Sequence, residues 1–169
     1  DIYKKIPLFL QYKFLLSLIS NENGLKLTPR GNLPTKIVAE IYEQGFLKDF
    51  AIEHGITKLY SEESVPSIHL TKILVEQSSF TKKRNNTLSL TKIGKNNINN
   101  DYYMFSDLFK NFTTKFNWAY FDGYEDPHAG QIGFGFTLIL LNKFGNEFRS
   151  THFYGNKYTK AFGINEQSD

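Results

Sequence analysis

Ser79-Phe80-Thr81-Lys82-Lys83-Arg84-Asn85-Asn86-Thr87-Leu88-Ser89-Leu90-Thr91 is the segment whose reading decides the fold. It predicts two short strands, 79–81 and 87–91, joined by a basic loop that contains two asparagines. Ahead of it, Ser64-Val65-Pro66-Ser67 is a helix-start cluster, and Ile68, Ile73, Leu74 and Gln77 continue a helix to about residue 78. Behind it, Ile93-Gly94-Lys95 closes the hairpin and residues 96–100 read as a polar break.

Working towards the N-terminus, apolar residues at helical spacing predict a helix over 8–19, stopped by Asn21-Glu22-Asn23-Gly24. Leu25-Lys26-Leu27-Thr28 alternates like a short strand, Pro34 opens a second helix that points Ile37, Val38 and Ile41 inward, and residues 47–53 form a third. Residues 56–65 fit strand or loop equally. Working towards the C-terminus, Phe105, Leu108, Phe109, Phe112, Phe116 and Tyr120 recur at three and four residues and predict one long helix with an aromatic face. Residues 122–131 form a loop. Residues 132–144 are apolar nearly all round and predict a central buried helix, and a last helix covers 147–162. The expected fold is therefore mainly α with short β-hairpins, divided softly near Asn100 into regions 1–100 and 101–169 that pack as one unit. One internal echo joins the elements of the first region. Leu25-Lys26-Leu27-Thr28-Pro29-Arg30-Gly31 and Leu88-Ser89-Leu90-Thr91-Lys92-Ile93-Gly94 share the form Leu-x-Leu-Thr-x-x-Gly, too few copies for a solenoid but enough to suggest paired helix–strand units.

Composition excludes several classes of function. With 40% hydrophobic and 16% aromatic residues the chain is expected to fold, and with no cysteine it can have neither disulfides nor thiolate metal sites. The cytoplasm is the expected compartment, since no cleavable signal is visible and no run of about 18 apolar residues occurs. No membrane partner is expected. Met104 is the only methionine, which suggests part of a longer product. His54, His69, His128 and His152 are scattered, and nucleophile elbows, P-loops and dinucleotide fingerprints are missing, so no catalytic residue, metal or cofactor is assigned. Asp122, Glu125, Asp126 and His128 cluster on one loop, but position twelve counted from Asp122 is Gly133, and the EF-hand pattern needs a glutamate there. A solvated loop is the expected reading.

The order of three helices and a hairpin over residues 33–95, with Leu88-Ser89-Leu90-Thr91-Lys92-Ile93-Gly94 placed like a second wing strand, resembles the winged-helix proteins. The resemblance covers about the first 100 residues. It implies that the helix before the wing, Ser67 to Ser78, enters the major groove, with His69, Thr71, Lys72 and Gln77 as contacts, and that the wing tip, Lys82, Lys83 and Arg84, touches the backbone. Glu76 and the absence of arginine in that helix depart from a base-reading pattern. Residues 81–95 also include Lys92 and Lys95 and contain no acid, a local basic patch on a chain whose net charge is only +3. The expected function is a nucleic-acid-binding or regulatory module that contacts duplex DNA through this wing. The alternative is a non-catalytic protein-interaction domain of a larger chain, with the lysines serving to protect a strand edge.

Overall fold

The computed structural model describes residues 2–123 and 131–163. Helix accounts for more than half of them, and the strands form one small antiparallel sheet, so the chain is mainly α with a short hairpin. Two compact units are present, Asp1–Phe116 and Asn117–Asp169. Asn100, where the composition changes, is the N-cap between two helices of the first unit.

The first unit is built on α1 (Pro7–Asn21) and α4 (Pro66–Gln77). Phe9, Tyr12, Leu15, Leu16 and Ile19 of α1 are buried, as are Ile68, Leu74 and Val75 of α4. A polar link crosses this apolar seam: Gln11 Nε2 donates to Thr71 Oγ1 at 2.8 Å and to the Ser67 carbonyl at 2.9 Å. Helix α2 (Thr35–Glu43) turns Ile37, Val38 and Ile41 inward as the sequence predicts, and α3 (Phe50–Glu53) is a single turn capped by the Asp49 carboxylate. A 3-10 turn over Glu62–Ser64 leads into α4. Beyond the sheet follow α5 (Lys92–Asn97) and α6 (Asp101–Thr114).

Strands β1 (Leu25–Lys26), β2 (Thr81–Arg84) and β3 (Thr87–Leu90) lie in the order β1-β3-β2. The expected five-residue loop shrinks to Asn85-Asn86, both at positive φ of 50° and 55°, because consecutive asparagines tolerate the left-handed backbone of a two-residue hairpin turn. Lys82, Lys83 and Arg84 thereby become strand residues. The internal echo acquires a meaning, since Leu25 pairs with Leu88 across the sheet and the two copies supply neighbouring strands.

Residues 92–97 are helix, where a closing turn and the start of a polar break were expected. Thr91 Oγ1 accepts the Gly94 amide at 3.0 Å and caps α5. Gly94 is required there, because a Cβ would lie 2.2 Å from the Phe80 carbonyl oxygen. The expected long helix over 105–120 is also broken. It ends at Thr114, where Thr113 and Thr114 bond back to carbonyls of the preceding turn. Phe116 is buried in the turn, and the Asn117 side chain caps a new helix, α7 (Trp118–Asp122).

In the second unit α8 (Phe134–Phe144) packs on α9 (Thr151–Phe162) through ring contacts, Phe136 on Phe162 at 5.7 Å and Phe144 on Phe153 at 5.3 Å. The sequence reading of α8 as a central buried helix does not hold. Leu140 is buried, but Ile132, Leu138, Ile139 and Leu141 are between 43% and 62% exposed. A two-helix pair covers one side of an all-apolar helix and leaves the other uncovered. No helix among the described residues is long and apolar enough to cross a membrane. The cluster at 122–128 falls almost wholly outside the described residues.

Tyr12 gives the core a pH dependence. Its ring is fully buried and its hydroxyl has no hydrogen-bond partner of good geometry among the described residues. Burial holds this phenol well above its usual value, with nearby Ser78 opposing the shift and the charge of Asp107 adding to it. The unfolded chain therefore loses this proton first. The stability that the protonated phenol carries is complete below about pH 10 and is lost as pH rises from there towards the raised folded value, at up to about 1.4 kcal/mol per pH unit. Tyr12→Phe is expected to flatten this alkaline loss in urea titrations between about pH 9 and 11, with a change at pH 7 below about 1 kcal/mol.

Candidate nucleic-acid interface

The hairpin divides its own basic residues, because side chains alternate between faces along a strand. Thr81 pairs with Leu90 and Lys83 with Leu88, and those two leucines are buried. Lys83 therefore leans to the α4 side of the sheet, where its Nζ lies 3.1 Å from Glu76 Oε1. Lys72 occupies the other carboxylate oxygen at 2.9 Å. Glu76 thus pairs with two of the expected contacts.

Lys82 and Arg84 point the opposite way, and β1 adds a third cation. Lys82 pairs with Ser89 and Arg84 with Thr87, while Thr87 pairs on its other side with Lys26, so Lys26, Thr87 and Arg84 form one row across the three strands. Strand spacing places Lys26 and Arg84 about 9.5 Å apart at the backbone, and Lys82 and Arg84 about 7 Å apart. All three cations are exposed. Lys95, on α5, lies beside this face and lines a pocket of about 420 Å³ with Lys82, Ser20, Asn23 and Ser89. No carboxylate lines it. None of Lys26, Lys82, Arg84 and Lys95 makes an ion pair among the described residues.

The helix expected to enter a groove is placed differently. Thr71 is fully buried with its hydroxyl bonded to the Ser67 carbonyl and to Gln11, and Lys72 is 7% exposed. His69 Nδ1 is 2.7 Å from Oε1 of Glu62, a carboxylate with no exposed surface whose other oxygen accepts the Leu33 amide at 2.6 Å. Thr71 and His69 hold α4 to its neighbours, while Lys72 is paired with Glu76 one turn on in α4 itself. Lys92 is exposed on the first turn of α5 and lies outside the pocket. Of the expected contacts the structure brings Lys82, Arg84 and Lys95 to one side, and it sets Lys83, His69, Thr71, Lys72 and Lys92 apart from them. The residue missed was Lys26. It stands between buried Leu25 and Leu27, and the echo between residues 25 and 88 is the signal that could have put it on this sheet.

Among the described residues no three His, Asp or Glu side chains gather as a metal would need. Comparison of the chain with protein-family models, with curated proteins and with solved structures found no match. The geometry of this face is therefore what bears on function: positive charge at strand spacing, hydroxyl donors between the charges, and no acid to compete for them. Such a surface suits the closely spaced oxygens of a phosphate backbone, which exposes one charge per about 3.4 Å of axis on each strand.

Proposed function

We propose that this chain is a nucleic-acid-binding module whose first unit holds duplex DNA by its phosphate backbone, on the outer face of the sheet. The observation that carries the reading is the segregation of charge. Four cations without carboxylate partners share one side, while Lys72 and Lys83 are paired with Glu76 on the other. Helices followed directly by a two-stranded hairpin support the winged-helix resemblance, but Thr71 and Lys72 are turned inward, so the contact is made by strands and not by α4. Backbone contacts of this kind give affinity and orientation with little sequence preference.

Neighbouring lysines provide the test. Lys82→Ala is expected to reduce the slope of log affinity against log salt by about 0.9, the value of one phosphate contact, and Lys83→Ala to leave it nearly unchanged. Fluorescence anisotropy on a mixed-sequence duplex at several salt concentrations measures both. Equal effects of the two substitutions, or no duplex binding at low salt, would reject the face. In that case the protein-interaction reading leads, because the exposed Ile132, Leu138, Ile139 and Leu141 around α8 are apolar surface suited to a partner.

A further inference from the structure

The pocket beside the sheet differs from the face in shape and in chemistry. Its walls come from three places: the end of α1 and its turn give Ser20 and Asn23, the hairpin gives Lys82 and Ser89, and α5 gives Lys95. Asn23 sits at a φ of 53°, the left-handed backbone of the turn after α1. The polar groups are two ammoniums, two hydroxyls and an amide. On the apolar side are Ile19, Leu90 and Ile98. A volume of about 420 Å³ falls in the range of small-molecule sites, roughly 300–1,000 Å³.

A flat basic face accepts a running backbone, whereas a walled pocket accepts a group that ends. Two lysines with no acid present a charge of +2, which matches a phosphomonoester, at about −1.5 to −2 near neutral pH, better than the single charge of an internal phosphodiester. The two hydroxyls and the Asn23 amide can donate to its remaining oxygens, and the half-buried Ile98 gives a planar base something to lie against. We propose that this pocket binds a nucleotide 5′-phosphate. The shared ligand chemistry has two sources, the phosphorylated end of a nucleic acid and a free nucleoside monophosphate. The inference rests on the preceding reading only in sharing Lys82 and Lys95.

The experiment uses one blunt duplex, labelled with fluorescein at a 3′ end, with its 5′ ends either phosphorylated or hydroxyl. Phosphorylated ends are expected to bind about tenfold tighter, the scale of charge-assisted hydrogen bonds. Lys95→Ala should abolish that preference, and Arg84→Ala should weaken both duplexes alike while keeping it. Adenosine 5′-monophosphate and adenosine, added to isotope-labelled protein, separate the two sources. Shifts of the Ser89 and Lys95 amides with the monophosphate and not with adenosine show that the free nucleotide suffices. No shifts, together with a preference for phosphorylated duplex ends, identify the chain terminus as the ligand. Equal affinity for the two duplexes without monophosphate shifts, or a preference that survives Lys95→Ala, overturns the pocket while leaving the backbone reading standing. Monophosphate shifts without any duplex binding would do the reverse.

Discussion

Replacing Lys26, Lys82, Arg84 and Lys95 together by glutamine is expected to remove most of the salt dependence of duplex binding. Four phosphate contacts give a slope near −3.6, so raising salt fourfold weakens the native chain about 150-fold, and the quadruple variant should change little over the same range. At low salt the variant should bind more weakly by a comparable factor. All four side chains are exposed and unpaired among the described residues, so stability should move by less than about 0.5 kcal/mol. A control that replaces Lys83, Lys92, Arg30 and Lys36 removes the same formal charge from other exposed positions. If net charge alone attracted DNA, the two quadruple variants would lose equal slope. If the placement of charge matters, the control retains most of it. Anisotropy titrations of the three proteins against one duplex distinguish these outcomes.

The hairpin shows what was legible in the sequence and what was not. That a basic segment lay between two strand-forming stretches was readable from Lys82, Lys83 and Arg84 beside Leu88-Ser89-Leu90. The direction of each lysine was not, because it depends on where the turn falls. With the turn at Asn85-Asn86 the strands extend to Arg84, and the alternation that buries Leu88 and Leu90 sends Lys83 to the α4 side, within reach of Glu76, and its two neighbours to the opposite face. The interior of α4 was similarly hidden at Thr71, which is polar and looks like a surface residue but is satisfied by Gln11 from α1, a partner sixty residues away that leaves no mark in local spacing. The Lys72–Glu76 pair, one turn apart on α4, was readable from its i,i+4 spacing. Elsewhere in the first unit α1, α2 and α4 were legible because they follow plain helical periodicity, whereas α5 and the end of α6 were not. Periodicity misled in the aromatic-rich second region. An apolar run like 132–144 fits a core helix, yet whether it is buried depends on how many elements surround it, and α9 covers only part of it.

Glu62→Ala is expected to be among the most destabilising single substitutions, at about 2–4 kcal/mol in urea unfolding, because it strips the charged acceptor from a buried amide and leaves a cavity where a fully buried side chain stood. The Glu62 side chain has no exposed surface, and it ties two segments together by accepting the Leu33 amide just before α2 and meeting His69 on α4. Its neighbour Glu63 extends the link by accepting the Asn32 side chain at 2.9 Å. Alanine would leave the Leu33 amide buried without an acceptor and His69 without this carboxylate. Glu62→Gln keeps an oxygen for Leu33, and its amide nitrogen can donate to His69 Nδ1 in the other tautomer, so its cost should be nearer 1–2 kcal/mol, about that of exchanging a charge-assisted bond for a neutral one. The pair of variants also separates stability from binding. If His69 is a strut and not a DNA contact, Glu62→Gln protein, measured at a temperature where it is folded, should show the native salt slope. A slope reduced by about 0.9 would return His69 to the binding surface. A loss below about 1 kcal/mol for Glu62→Ala would show that Leu33 and His69 find other partners, and that α2 and α4 are held together by Ile41 and its apolar neighbours alone.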